Sequence, residues 1–446
     1  MNIISKLEGN GKSVAFLTLG CKVNSYESDA MQELFLAAGY QVVDFSNKAD
    51  VYVVNTCTVT NIADRKSRQM LHKAKKLNQE SVVVAVGCYV QAAKDVLEAD
   101  EAIDLVVGNN QKIHIVELVE EYFKDNHYQE ELLDISTERE YEELSIGSAG
   151  EKTRAYIKVQ DGCNQFCSYC IIPYARGRVR SRALKDVMQE VERLVSKGYQ
   201  EVVLTGIHLS SYGIDLEEDN LLTLIQKISV INGLKRIRLG SLEPRIITDE
   251  FVQALAQNDK FCPHFHLSLQ SGCDATLKRM NRKYTSQEYY NATELLRKYF
   301  DNPAITTDVI VGFPGETEEE FLETRKYLEK IAFAQMHVFK YSKRKGTQAE
   351  SMPDQIDDNK KQERSNALHV LESNMRKNYQ AYFKGRKERI LVEETMVIDD
   401  ITYQIGHNER YLKLAFCNEK DYSNQIIEVE ILQNLTDDIL LCEIID

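Results

Sequence analysis

Three cysteines crowd into one stretch of the chain, DGCNQFCSYCIIPYARGRVRSR, as Cys163, Cys167 and Cys170. The spacing C-x3-C-x2-C on so short a loop points three thiolates at one centre. A structural zinc usually takes four protein ligands, and so does an electron-transfer iron–sulfur cluster. Three cysteines on a cubic cluster leave one iron open to another ligand. The competing reading is a zinc completed by a distant histidine, His208 or His266. A second set is scattered: Cys21 follows FLTLG, Cys57 follows YVVNT and Cys88 follows VVAVG. The separations, 36 and 31 residues, are each about one β/α unit. Any one of these cysteines reads as a buried thiol. All three, however, fall just past the carboxyl end of an apolar run, the edge where open α/β sheets bind ligands. Distant in sequence, they are expected to converge as a second three-thiolate site. Cys262, Cys273, Cys417 and Cys442 have no ligand-like spacing and read as structural.

The elements that must position these groups follow from hydrophobic patterning. The chain has 446 residues, 43% hydrophobic and 28% charged, long enough for two or three domains with sizeable cores. No apolar run approaches the roughly 18 residues of a membrane span. The opening MNIISKLEGN has no basic segment followed by an apolar one, so a cytoplasmic, reducing location is expected, without a disulfide framework. Net charge is −14, but residues 117–145 alone hold 11 acidic and 2 basic side chains. The average charge therefore says little about an anionic partner, because an acidic segment can be solvated and distant from a basic groove. The stretch DNHYQEELLDISTEREYEELSIGSAGEKT reads as a connector.

Before it, SVAFLTL, DVYVVNT and SVVVAVG are strand-length runs, with helical spacing over Ser25–Ala38, Ala63–Lys76 and Gln91–Leu97. Apolar strands alternating with helices predict a parallel sheet covered on both faces. After the connector come six candidate strands: Arg154–Val159, Glu201–Gly206, Lys235–Leu239, Phe265–Leu269, Ala304–Val311 and Gln335–Phe339. Helices lie between them, the clearest over Leu184–Val195. Six β/α units predict a (β/α)6 barrel of the TIM type, partial or full, with its site at the carboxyl ends of the strands. A helix over Asp358–Phe383 follows, and then short alternating runs that predict a small antiparallel β-barrel. The fold class is α/β, divided as 1–135 (parallel-sheet α/β domain), 150–380 (barrel) and 383–446 (small β-barrel).

Taken together, TLGCKVNSYES, VVNTCTVT, VGCYVQ, VQDGCNQFCSYCIIPYARGRVRSR, LTGIHLSSYG, LGSLEP, HLSLQSGCDATLKRMNRKYT, DVIVGFPGETEEEF and FKYSKRKGTQA give a chain that resembles the radical S-adenosylmethionine (SAM) methylthiotransferases along nearly its whole length. The resemblance implies two [4Fe-4S] clusters and SAM as cofactors. Cys163, Cys167 and Cys170 would hold the SAM-cleaving cluster, and Cys21, Cys57 and Cys88 an auxiliary cluster whose open iron carries sulfur. One SAM would methylate that sulfur and a second supply a 5′-deoxyadenosyl radical. The C-terminal barrel resembles the TRAM module with which the family holds its substrate. GCKVN resembles the branch acting on N6-threonylcarbamoyladenosine, 3′ of the transfer RNA anticodon. Other branches act on isopentenyladenosine in tRNA, where GCQMN is commoner, or on a ribosomal-protein aspartate. From another class comes a zinc-stabilised RNA-binding protein without catalysis. The implied partners are the anticodon stem-loop, SAM and an electron donor, with no membrane and a monomeric state.

SAM needs polar partners at strand ends. Gly206 permits close backbone approach, and Ser241, Glu243, Gln270 and Asp308 are candidates to hydrogen-bond its nucleoside or methionine parts, the alternative being ordinary strand-end polarity. Arg176, Arg178, Arg180 and Arg182, with KRMNRK and KYSKRK, are expected at RNA or SAM; the alternative is a solvated edge or packing on the cluster domain. Lys22, beside Cys21, is a candidate partner for the threonylcarbamoyl carboxylate. One feature runs against the RNA reading: residues 384–446 hold 7 basic and 14 acidic side chains.

Overall fold

The computed structural model describes residues 11–125, 132–147 and 153–445. The opening MNIISKLEGN and parts of the acidic connector, including most of its Gly-Ser-Ala-Gly, lie outside the described residues.

The N-terminal unit is a five-stranded parallel sheet, β1 (Ser13–Thr18), β2 (Gln41–Val43), β3 (Val51–Thr56), β4 (Val82–Gly87) and β5 (Leu105–Val107), in the order β2-β1-β3-β4-β5. β3 and β4 are buried at every position, as strands covered on both faces must be. Val51 and Val53 pack with Met31, Phe35, Ile115 and Val119 on one face. Tyr52 and Val54 pack with Leu71 and Ala74 on the other. The helices are Lys22–Ala37, Asn61–Leu77 and Ile115–Lys124. The segment expected as one helix over Gln91–Leu97 is two short ones, Cys88–Ala92 and Lys94–Glu98, broken at Ala93.

The acidic stretch differs from expectation. Its beginning belongs to the helix Ile115–Lys124, which buries Ile115, Val116, Leu118 and Val119. Its end is docked and not solvated. Glu142 sits 3.7 Å from the Lys112 ammonium, Leu144 and Ile146 join the central core, and Tyr26 donates to the Leu144 carbonyl at 2.6 Å.

The central unit holds β6 (Arg154–Asp161), β7 (Arg180–Ser181), β8 (Glu201–Gly206), β9 (Arg236–Leu239), β10 (Ser241–Leu242), β11 (His264–Leu267), β12 (Ala304–Val311) and β13 (Gln335–Lys340). They form two four-stranded sheets, β7-β6-β8-β9 and β10-β11-β12-β13, joined by an isolated bridge between Ile237 and Phe261. The long strands are parallel and make an open arc. The N-terminal unit packs at both ends of that arc. Glu27 pairs with Lys158 of β6, and Arg344, just after β13, pairs with Asp64 and donates to Asn61 and Thr58.

The helix Asp358–Ala381 leads to β14 (Lys387–Ile398), β15 (Ile401–Asn408), β16 (Lys413–Phe416), β17 (Ile426–Asn434) and β18 (Ile439–Ile444). These close into a barrel, β14-β15-β16-β18-β17, antiparallel except that β16 and β18 pair in parallel. Its acidic charge is partly spent inside the molecule. Glu393 pairs with Arg154 at 2.9 Å, and Glu409 lies 3.7 Å from Arg236. The carbonyls of Arg389, His407, Asn408 and Glu409 accept from Arg236 and Arg238. No helix among the described residues is long and apolar enough to cross a membrane.

Candidate functional site

Cys21, Cys57 and Cys88 lie at the carboxyl ends of β1, β3 and β4, neighbours in the parallel register. Thr56 and Gly87 are register partners, so Cys57 and Cys88 leave the sheet side by side. Gly20, at φ +101°, brings the loop before Cys21 against Cys57; a side chain there would put its Cβ 3.0 Å from the Cys57 sulfur. Asn24 joins the loops, its amide donating to the carbonyls of Leu19 at 2.7 Å and Thr56 at 2.9 Å. Burial raises the Cys57 thiol, and the neighbouring Cys21 adds to the effect. Burial pushes Cys88 up to about 11, against the pull of Arg176. Cys21 is exposed.

The second set sits on the loop after β6. Cys163 N–H is held by the Gly177 carbonyl, Cys170 N–H by Cys167, and Ser168 N–H by Met280. Burial pushes Cys163 up to about 11 and Cys170 up to about 12. Such thiols ionise only where a metal or a nearby cation stabilises the thiolate, the proton leaving to solvent.

Each set has an arginine donating to one sulfur. Arg176 Nε lies 3.0 Å from Cys88 Sγ, and Arg282 Nη1 lies 3.1 Å from Cys167 Sγ. Arg176 also ties the two units together. It pairs with Glu27 at 2.9 Å and Asp161 at 3.1 Å, and donates to Asn24 at 2.7 Å. The helix Cys88–Ala92 packs on Ile172–Ala175, and the Asn109 amide donates to the Ala175 carbonyl. Cys88 and its helix thus meet, across one seam, the segment that follows the second set.

Three thiolates on a single zinc would lie about 4 Å apart, given Zn–S bonds near 2.3 Å. Among the described residues, the group of three ligand atoms mutually within 4.8 Å is His266, Asp308 and His337, and neither cysteine set closes to that spacing. The histidines weighed as zinc ligands have other neighbours. His208 Nε2 is 3.5 Å from Glu243, and His266 Nε2 is 3.3 Å from Asp308.

Of the five residues assigned to SAM, Gly206 ends β8, Ser241 opens β10 with Glu243 just after it, Gln270 follows β11, and Asp308 lies within β12. Glu243 is buried, takes Arg282 Nη2 at 3.2 Å, and is thereby one residue removed from Cys167. Burial opposes its charge, but His208 and Arg282 hold its carboxyl below the usual value. Gly206 backs onto the Gln160 side chain, whose Oε1 accepts from His208 N–H at 2.7 Å. Ser241 is exposed and is the register partner of His266. Gln270 takes a left-handed backbone (φ +74°), and its N–H reaches the Asp308 carbonyl at 2.8 Å. The Asp308 side chain faces His266 and His337.

The arginine run is corrected by the structure. Arg176, Arg180 and Arg182 are buried. Arg182 pairs with Glu190 and Arg180 donates to the carbonyls of Arg176 and Arg178. Only Arg178 is partly exposed, stacked 4.5 Å over Phe166. These residues build the seam between the units rather than an RNA-facing edge, because buried carboxylates on neighbouring elements take up their charge. Of the four cysteines read as structural, Cys262, Cys273 and Cys442 are buried and Cys417 is exposed.

Sequence reasoning missed the inward face of the barrel. Arg154, Tyr156 and Lys158 alternate along β6, Arg236 and Arg238 along β9, and His264 and His266 along β11, with apolar residues between them. Side chains two apart on a strand share a face, so this alternation could have marked a polar lumen. Arg176 and the KRMNRK run that holds Arg282 were read as RNA or SAM contacts; their donation to Cys88 and Cys167 was not, since nothing local to them shows a sulfur.

The comparisons agree with this architecture. Residues 157–328 match the radical SAM superfamily and residues 13–108 the uncharacterized protein family UPF0004. The chain is 41% identical, over 94% of each chain, to threonylcarbamoyladenosine tRNA methylthiotransferase MtaB of Bacillus subtilis (strain 168). It is 37% identical, over 86% of this chain and 83% of the other, to tRNA-2-methylthio-N(6)-dimethylallyladenosine synthase of Thermoanaerobacter sp. (strain X514). Among solved structures, the radical SAM methyltransferase TsrM of Kitasatospora setae matches with a TM-score of 0.54 at 16% identity, covering 74% of this chain and 75% of that one. With two three-cysteine sets, and with relatives this similar over almost its full length, the chain belongs to the radical SAM methylthiotransferase family.

Proposed function

We propose that this enzyme places a methylthio group on C2 of N6-threonylcarbamoyladenosine, beside the anticodon of transfer RNA. The observation that carries the reading is the pair of three-cysteine sets, each touched by an arginine, in a chain 41% identical to a relative named for that nucleoside. The donors fit two [4Fe-4S] clusters: three thiols each, and a cation set to meet thiolate charge. Cys163, Cys167 and Cys170 would hold the SAM-cleaving cluster, and Cys21, Cys57 and Cys88 the auxiliary one. In this division 1–135 carries the auxiliary site, 150–380 the SAM barrel and 383–446 an RNA-holding barrel. A monomer receiving electrons from a separate donor completes the proposal. When bound, the clusters and SAM supply the electron, sulfur, methyl and radical chemistry that an unactivated C2–H requires.

The chain's own residues bind and orient. Glu243, kept ionised by His208 and Arg282, offers acceptors beside Cys167 for the hydroxyl or ammonium groups of SAM. Arg282 donates to the Cys167 sulfur and favours the more negatively charged state of whatever that sulfur ligates. Arg282→Lys loses the planar two-way bridge between Cys167 and Glu243. The reduction potential of the SAM-cleaving cluster should therefore become more negative, as read by an anaerobic redox titration; an unshifted potential speaks against the assignment.

The function itself is tested on anticodon stem-loops bearing threonylcarbamoyladenosine or isopentenyladenosine, incubated with reconstituted enzyme, SAM and reductant. Mass spectrometry of the nucleosides should show the methylthio product from the first. Product from the second alone moves the enzyme to the other tRNA branch.

A further inference from the structure

We propose that Lys22 and Arg154, walled by the rings of Tyr156 and Tyr411, form a subsite for a carboxylate carried on N6 of the substrate adenine. The inference rests on the function proposed above and deepens it.

The sequence places Lys22 directly after Cys21, at the first turn of Lys22–Ala37. Its side chain runs into the barrel lumen, with the ammonium 5.8 Å from the Tyr156 ring centre and 5.9 Å from that of Tyr411. Among the described residues it makes no hydrogen bond and no ion pair. Its neighbours are cations already engaged. Arg238 is spent on Glu201 at 2.8 Å and on the carbonyls of Asn408 and Glu409. Arg154 gives Nη2 to Glu393 at 2.9 Å, yet its buried Nη1 has no partner. Arg236, Arg238 and Arg154 are matched by Glu409, Glu201 and Glu393. Lys22 is the cation left over. A charge held in such a place without a counter-ion is costly, and one carboxylate would answer both Lys22 and the free Nη1 of Arg154.

Tyr411 gives the subsite a rigid wall. It sits at the turn between β15 and β16, in a left-handed conformation (φ +67°), stacked on His407 with ring centres 4.6 Å apart. Arg154 and Arg238 lie 4.8 and 4.9 Å from its centre. The C-terminal barrel thus contributes a side chain to the lumen as well as a surface outside it.

The placement also suits the reaction. In adenine, N6 and C2 flank N1 on one edge of the ring. An N6 substituent anchored at Lys22 therefore carries C2 toward the neighbouring Cys21 and the auxiliary site. The same cations could meet a backbone phosphate, and the experiment separates the two sources.

Three anticodon stem-loops are compared, bearing threonylcarbamoyladenosine, its methyl ester, or isopentenyladenosine. Binding is measured by fluorescence anisotropy and turnover by nucleoside mass spectrometry, with reconstituted wild type, Lys22→Met and Lys22→Arg. The wild type should prefer the acid to the ester. A charge-assisted hydrogen bond is worth about 10- to 150-fold, and Lys22→Met should lose that preference, chiefly in KM and Kd. Lys22→Arg should recover most of it. An acid-to-ester ratio equal in wild type and Lys22→Met overturns the subsite while leaving the proposed function standing. Equal weakening toward all three RNAs assigns the cations to phosphate and also overturns it. Wild-type activity confined to the isopentenyl RNA overturns subsite and function together.

Discussion

Replacing Cys163, Cys167 and Cys170 together by alanine is expected to abolish 5′-deoxyadenosine formation, whereas replacing Cys21, Cys57 and Cys88 is expected to spare SAM cleavage and abolish only the methylthiolated nucleoside. The two triple variants should each retain one cluster, about four iron and four sulfide atoms against about eight in the wild type. The asymmetry follows from position. The first set lies on the loop after β6, one residue from Glu243 through Arg282, where SAM is proposed to bind. The second lies across the seam at the edge of the N-terminal sheet. Anaerobic iron and sulfide analysis, with chromatography of the SAM products, reads both outcomes. Continued SAM cleavage in the first variant, or wild-type methylthiolation in the second, would falsify the assignment.

Glu27→Gln should produce the largest loss of stability outside the cysteines. Glu27 is fully buried and meets three cations: Lys158 at 2.8 Å, Arg176 at 2.9 Å and Lys112 at 3.5 Å. Removing one partner of a buried ion network typically costs about 3–5 kcal/mol, because the remaining charges stay buried and unmatched. That corresponds to a fall of roughly 10 °C in the first thermal transition, measured by calorimetry on the reconstituted protein. The pH dependence has a definite sign. Burial works against the Glu27 charge, but Arg176, Lys112 and Lys158 outweigh it and hold the carboxyl well below the ordinary range. A depressed carboxyl contributes its full stability above the unfolded value, about 4.3, and loses it as pH falls from there toward the folded value. Wild type should therefore destabilise steeply below about pH 4, and Glu27→Gln should show a shallower acid limb from a lower starting point. A variant as stable as wild type at neutral pH would mean that the network is solvated in solution.

Arg176 has a place in both experiments. It touches Cys88 in one unit and Asp161, two residues before Cys163, in the other. The Glu27 network includes the same Arg176 that donates to Cys88. A loosened seam should show as SAM cleavage uncoupled from methylthiolation in Glu27→Gln.

The sequence by itself determined what local pattern can specify. Continuous valine runs committed β3 and β4 to the middle of a parallel sheet, and the strands expected at Glu201–Gly206 and Ala304–Val311 stand at those same residues in the structure. Cys163, Cys167 and Cys170 had to share a loop because no regular element separates them. Cys21, Cys57 and Cys88 had to share an edge because parallel strands of similar length end together. What only the tertiary structure decided is where charge is spent. The arginines after Cys170 look like an RNA-binding edge in one dimension, yet three of them are buried against Glu27, Asp161 and Glu190, of which Glu27 comes from an element 149 residues away. The acidic C-terminal barrel looks ill suited to RNA until Glu393 and Glu409 are seen on Arg154 and Arg236. Helix and strand are set by neighbours a few residues away, which the chain itself lists. The ion pairs of Glu27 with Arg176 and of Arg154 with Glu393, and the contacts of Arg176 and Arg282 with sulfur, join residues 88 to 239 apart, and folding alone chooses those.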